Sequence, residues 1–102
     1  MLRITRGGFD TMITGDVTIA VENALAAEYD LSDTELLIAG HHGSGHASGD
    51  TLLDALGAET AVISCGWNTY GHPTQETLDR IKAHGMTILR TDEDGSVTLR
   101  ME

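Results

Sequence analysis

TELLIAGHHGSGHASGDTLLDALGAETAVISC, residues 34–65, reads as strand, loop, helix and strand. Thr34 to Ala39 is a short, mostly apolar run that suits a buried strand, and Gly40-His41-His42-Gly43 ends it. Ser48 and Asp50 are candidate N-caps for a helix carrying Leu52, Leu53, Ala55 and Leu56, with Gly57 as its stop. Ala61 to Cys65 is a second buried-strand run. Two strands separated by a helical stretch of this length pair in parallel through a crossover. The loop between them holds His41, His42 and His46, three of the five histidines of the chain. Such a cluster at a strand end asks whether the loop binds a metal or is merely polar.

The same alternation extends to both sides. Leu2 and Ile4, then Gly7-Gly8, then Phe9, Met12 and Ile13 predict two strands around a glycine turn, the second ending at Thr14-Gly15-Asp16. Val17 to Tyr29, with Ile19, Val21, Ala24, Leu25 and Ala27, predicts a helix starting a few residues in. Gly66 to Pro73 is a loop, and Pro73 or Thr74 starts a helix that Gly85 stops. Thr87 to Leu89 is a strand, Asp92 to Gly95 a turn, and Val97 to Leu99 a final strand. The expected fold is one α/β domain over residues 1–102, with a mixed sheet, about three helices and the order ββαβαβαββ.

A chain of 102 residues supports one modest core, and with four aromatic residues that core rests on Leu, Ile, Val, Ala and Met. Six Lys and Arg against sixteen Asp and Glu give a net charge of −10. That balance argues against passive binding to a polyanion, which takes clusters of Lys and Arg. An acidic excess also simply keeps a surface soluble. Cys65 stands alone in an apolar run, which excludes an intrachain disulfide and suits a buried thiol. No stretch approaches the roughly 20 apolar residues of a membrane span, and MLRITRGGFD lacks the apolar block of a signal peptide.

Three segments succeed apolar strands and present acid or imidazole groups: MITGD with Asp16, LLIAGHHGSGH with His41, His42, Ser44 and His46, and CGWNTYGHP with Asn68, Tyr70 and His72. Loops at the carboxyl ends of parallel strands gather at one sheet edge. Imidazoles with a carboxylate suit zinc, manganese or iron, and an Asp at a strand end can bridge two ions. Ser44 and the amides near Gly43 are candidate hydrogen-bonding groups for a phosphate. Each residue also has a plainer reading. Asp16 serves as a turn residue or helix cap, one of two adjacent histidines is often structural, His46 is an exposed loop residue, and His72 closes a turn before Pro73. His84, at a helix end, interacts with terminal carbonyls, and the Asp92–Gly95 run resembles a hairpin turn far more than a calcium loop.

Taken together, TGD, a helix with a Glu, LLIAGHHGSGHAS, ISCGWNTYGHP and RTDEDGSVTL resemble the C-terminal half of a metallo-β-lactamase-fold domain, in particular that of ComEC-type competence proteins and their stand-alone relatives. The resemblance runs from about Phe9 to Leu99, and its specific part is HHGS with YGHP after it. Related HHGS-bearing enzymes include choline-phosphate esterases that act on teichoic acids. The resemblance implies half of an αββα sandwich. It implies Asp16 as a carboxylate bridging two ions of zinc or manganese, and His42 as the last ligand histidine, with His41 the second choice. It implies Tyr70 and His72 near the reacting centre, His72 contacting a substrate phosphate or donating a proton. The implied reaction is hydrolysis of a phosphodiester, DNA during uptake being one substrate, by a metal-bound hydroxide. A ComEC protein would present this domain on the extracytoplasmic side of the membrane.

The departure matters as much. The family's main ligand signature, HxHxDH, is absent, and so is a further ligand histidine before TGD. A metal site generally needs three or four protein ligands, so a fragment offering Asp16 and one histidine is expected to bind metal weakly or not at all, and to be inactive or weakly active. Half a sandwich would expose an apolar face, which predicts self-association or pairing with the rest of the parent domain. Two other readings stand beside this one: a non-catalytic α/β binding or oligomerisation module, and a hydrolase of cell-wall phosphoesters.

Overall fold

The computed structural model of the chain describes residues 2–64 and 73–91. The expectations for Cys65, Asn68, Tyr70 and His72, for the Asp92–Gly95 turn and for a strand at Val97–Leu99 lie outside the described residues, as do the side chains of His41 and His42. Strands β1 (Leu2–Arg6) and β2 (Phe9–Ile13) form the expected hairpin. Arg6 pairs with Phe9 across a two-residue turn. Gly7 and Gly8 both have positive φ, +55° and +85°, as the turn matching the natural strand twist demands.

From β2 onward the chain alternates strand and helix: α1 (Ile19–Glu28), β3 (Leu36–Ile38), α2 (Asp50–Leu56), β4 (Thr60–Ile63), α3 (Gln75–Ala83) and β5 (Thr87–Arg90). The five strands lie in chain order, with β1 antiparallel to β2 and the other three pairings parallel. The expected mixed α/β architecture is therefore present. Crossovers between parallel strands are right-handed, so strands laid down in chain order send every helix to the same face of the sheet.

The core has that form. Met12, Leu37, Ala61 and Ile88 are register partners across β2, β3, β4 and β5. They pack with Leu52, Leu53 and Leu56 of α2, with Leu78 and Ile81 of α3, and with Ala26 of α1. Residues one step along each strand point the other way. That opposite face carries Leu2, Ile4, Ile13, Leu36, Ile38, Val62 and Leu89, and among the described residues no helix packs on it. Leu2 and Ile4 are 57% and 47% exposed.

Helix ends match the sequence in two cases and depart from it in a third. Gly57, at φ +61°, ends α2 in the left-handed conformation that glycine adopts without cost. The Thr74 hydroxyl accepts the Thr77 N–H at 3.2 Å and caps α3. At the start of α2, however, the cap position is Gly49, no side chain of the segment caps it, and Asp50 is already helical. Ser48, the other expected cap, is buried at φ +56°. His84 ends α3 and reaches Asp50 of α2, Nε2 to Oδ1 at 3.0 Å.

Near the start of β2 a polar knot ties β1 to the segment before β3. Arg3 meets Asp10 at 2.9 Å and donates to the carbonyls of Asp30 and Ser32. The Asp10 N–H donates to Glu35 Oε2 at 2.6 Å. The Thr5 side chain and the Arg3 guanidinium hold the Asp10 carboxyl below its ordinary value of 3.8. Asp30 is lowered likewise by the hydroxyl and backbone N–H of Ser32. Because both folded values lie below the ordinary one, the stability these groups add is complete above about pH 3.8 and is lost as pH falls through the lowered values. In Asp10→Asn, urea midpoints should therefore drop less than in the wild type between roughly pH 5 and pH 2. Identical acid slopes would contradict this role for Asp10.

Candidate functional site

The carboxyl ends of β2 and β3 lie side by side, with Ile13 paired to Ile38 and Ile38 to Val62 of β4. Just past each strand end the backbones of two loops approach closely. After β2, the buried Thr14 donates both its N–H and its hydroxyl to the Ile38 carbonyl, at 3.4 and 3.1 Å. Gly15, at φ +62°, then turns the chain toward the exposed Asp16. After β3, Gly40 starts a single 3-10 turn, Gly40–Gly43. It lies so near the β2 loop that an added Cβ would meet Thr14 Oγ1 at 2.7 Å and the Gly15 carbonyl at 3.0 Å. The TGD segment and the GHHG segment are thus in direct contact.

The third segment enters at its far end. Gly43, at φ +83°, faces Pro73: a Cβ there would stand 2.5 Å from Pro73 Cβ and 3.3 Å from Ile63 Cγ2. The Gly43 carbonyl accepts the Thr74 N–H at 3.1 Å. Three segments that the sequence singled out separately therefore meet at one edge, with Gly40 and Gly43 as the contact points.

The rest of the loop is held tightly. Ser44 is buried. Its hydroxyl accepts the His46 N–H at 3.2 Å, and its carbonyl receives the Thr77 hydroxyl at 3.0 Å. His46 is exposed, and its carbonyl accepts the Ile19 N–H at 2.9 Å. The amides of Ser48 and Gly49 donate to the two carboxylate oxygens of Glu22, at 2.8 and 2.9 Å. Arg80 Nη1 donates to the carbonyls of Ala47 and Ser48, at 3.2 and 3.1 Å. Glu22 and Arg80 do not stand out as site residues in the sequence. A signal for Glu22 exists: Ile19, Glu22, Leu25 and Ala26 fall on one helical stripe, so a carboxylate sits where an apolar residue belongs.

The Thr14–Gly15 backbone that leads to Asp16 and the Gly40 start of the His41-His42 turn thus touch, and Ser44 is buried with its hydroxyl accepting a loop amide. The carboxylate and imidazole types present are those that zinc and manganese take. Among the described residues no three His, Cys, Asp or Glu side chains assemble as a metal site. Tyr70 and His72 lie outside the described residues, although their neighbour Pro73 touches the turn.

Fold and site together define an α/β layer with a loop cluster at the carboxyl edge of parallel strands, the usual position of a binding or reaction centre. Comparison with known proteins is more particular. The chain is similar to the Competence protein ComA of Neisseria gonorrhoeae, 38% identical over 99 residues, covering 95% of this chain and 14% of the relative. It is also similar to the ComE operon protein 3 of Bacillus subtilis (strain 168), 33% identical over 101 residues, covering 98% and 13%. Recombination protein 2 of Haemophilus influenzae aligns at 26% identity over 98 residues, covering 95% and 12%. The chain thus spans about one-seventh to one-eighth of the length of these relatives. No family model matches the chain, and no solved structure matches it. Among the described residues no helix is long and apolar enough to cross a membrane.

The contact at Gly43 is open to a direct measurement. Gly43→Ala should lose stability through both the left-handed backbone and the collision with Pro73, about 2–4 kcal/mol in urea unfolding. Gly57→Ala, with the same backbone sign but open space around it, should lose only about 1–2 kcal/mol. Equal losses would show that the close approach to Pro73 contributes nothing.

Proposed function

We propose that the chain is the C-terminal half of a metallo-β-lactamase-type hydrolase domain in a competence protein of the ComEC family, acting in the intact protein on phosphodiesters and in particular on DNA during uptake. The observation that carries this reading is the meeting of the Thr14–Asp16, Gly40–Gly43 and Pro73 segments at one sheet edge. Similarity to two competence proteins over nearly the whole chain supports it. In this reading Asp16 bridges two ions of zinc or manganese, and His42, with His41 as second choice, completes this chain's share of the ligands. When bound, such ions supply a hydroxide at neutral pH. Tyr70 and His72 orient the substrate, and His72 contacts its phosphate or gives a proton to the leaving oxygen. Ser44, whose hydroxyl accepts the His46 N–H and keeps its own O–H to donate, binds the substrate phosphate together with the amides near Gly43. The remaining ligands come from the rest of the parent domain.

The net charge of −10 favours a second reading of the substrate, a cell-wall phosphoester in place of a long polyanion. Both substrates belong in the same assay. In the full-length protein, Asp16→Asn and His42→Ala should each lower metal-dependent hydrolysis of the accepted phosphodiester on the order of 100-fold or more. Unchanged rates would overturn the assignment. A full-length wild type without metal-dependent hydrolysis would favour a non-catalytic binding module.

The exposed β1 end of that sheet face fits the same domain, since Leu2 and Ile4, beside the half-buried Ile13 and Ile38, present apolar surface that a second sheet would bury. In the isolated chain a second copy covers it. Sedimentation should show concentration-dependent self-association, and Ile4→Glu should shift the chain toward monomer. A wild type that stays monomeric at high concentration would count against this use of the face.

A further inference from the structure

Glu22 has no exposed surface, and in the sequence it has no role in the site beyond its place on the helix after TGD. A carboxylate is costly to bury, and it is retained only where donors satisfy it. Here the donors are two consecutive backbone amides of another element, Ser48 and Gly49. These amides precede helix α2, whose cap position is Gly49 with no side chain capping it, so Glu22 is not a substitute for a local cap. The remote carboxylate does something a local cap cannot: it joins α1 to the loop that leads into α2.

The surroundings show how far that joint is built in. Ser48 is a buried non-glycine residue in the left-handed region, φ +56°, and its hydroxyl is buried among the described residues without a hydrogen-bond partner. A conformation of that kind persists only where neighbours over-determine it. The neighbours are Glu22 on the two amides, Arg80 on the carbonyls of Ala47 and Ser48, and Ile19, against which Gly49 packs so tightly that a Cβ would lie 3.0 Å from Cγ2. Two opposite charges from two helices thus grip the donor side and the acceptor side of the same three residues. Glu22 stands six residues after Asp16, and Ser48 six residues after His42. The grip therefore links the helix that follows Asp16 to the loop that follows the His41-His42 turn.

We propose that Glu22, opposed by Arg80, is a positioning residue that sets the distance between Asp16 and the His41-His42 turn. This rests on the two-metal reading of the site, and the experiment separates the two. The full-length protein is titrated with manganese, by calorimetry and by the metal dependence of phosphodiester hydrolysis. Glu22→Gln keeps the shape but turns a donor toward one of the two amides. Its half-saturating manganese concentration should rise about tenfold or more, as happens when a group that orients a ligand is lost. Adding Ser48→Gly, which relieves the left-handed backbone, should restore thermal stability without restoring manganese affinity. A purely structural role predicts that both return together, and that result would overturn the proposal. So would Glu22→Gln binding manganese as the wild type does. If Glu22→Gln does not fold, Arg80→Lys decides: it keeps the charge and loses the fork on the two carbonyls, so its manganese affinity should fall, and unchanged affinity would overturn the proposal. A wild type that binds no manganese and hydrolyses nothing would overturn the two-metal reading itself, and this inference with it.

Discussion

The handedness of a strand–helix–strand crossover constrains this molecule more than any single contact. Four strands are laid down in chain order, and each return passes over the same side of the sheet. Three consequences arise together. The helices share one face and one core, in which Met12, Leu37, Ala61 and Ile88 line up beneath α2 and α3. The loops that leave the parallel strands share one edge. The other face of the sheet is left to apolar side chains with no helix on them among the described residues. A core on one side, a loop cluster at one edge and a second apolar face with no helix on it among the described residues are three aspects of a sheet wound in one direction.

Within that frame the loop cluster is made of approaches too close for side chains. Gly40 lets the turn after β3 press on Thr14, and Gly43 lets it press on Pro73. The polar groups that hold the rest of the loop come from both neighbouring helices, Glu22 and Ile19 on α1, Thr77 and Arg80 on α3. A loop satisfied in this way has few backbone groups left to water, which is how a segment rich in glycine can be buried at Gly43, Ser44, Ala47, Ser48 and Gly49.

How much of this is legible in the sequence depends on whether a signal is local. The Gly7-Gly8 turn and the Gly57 stop are each decided within a few residues and are where the sequence puts them, and α3 starts beside the Pro73 or Thr74 that the sequence offers, with Thr74 as its cap. The parallel order of the strands is legible too, because helix-length spacers leave little alternative. The start of α2 is misread for the opposite reason. Ser48 and Asp50 have the right chemistry for a cap, but the cap position falls on Gly49, and the amides of Ser48 and Gly49 are drawn to Glu22, 26 and 27 residues away. The meeting of TGD, HHG and the Pro73 segment is expected from topology, yet Gly40 and Gly43 as the points of contact are not, since closeness of approach leaves no trace in residue type beyond the glycine itself.

The contact between Gly43 and Pro73 also dictates an order of events as the chain emerges. The hairpin forms from neighbouring residues. The turn after β3 is different, because one wall of it, and the Thr77 and Arg80 groups beyond, lie 30 or more residues downstream. Its final shape therefore waits until α3 has been made and docked. The edge that gathers the candidate residues thus settles only after α3, however early its histidines are synthesised.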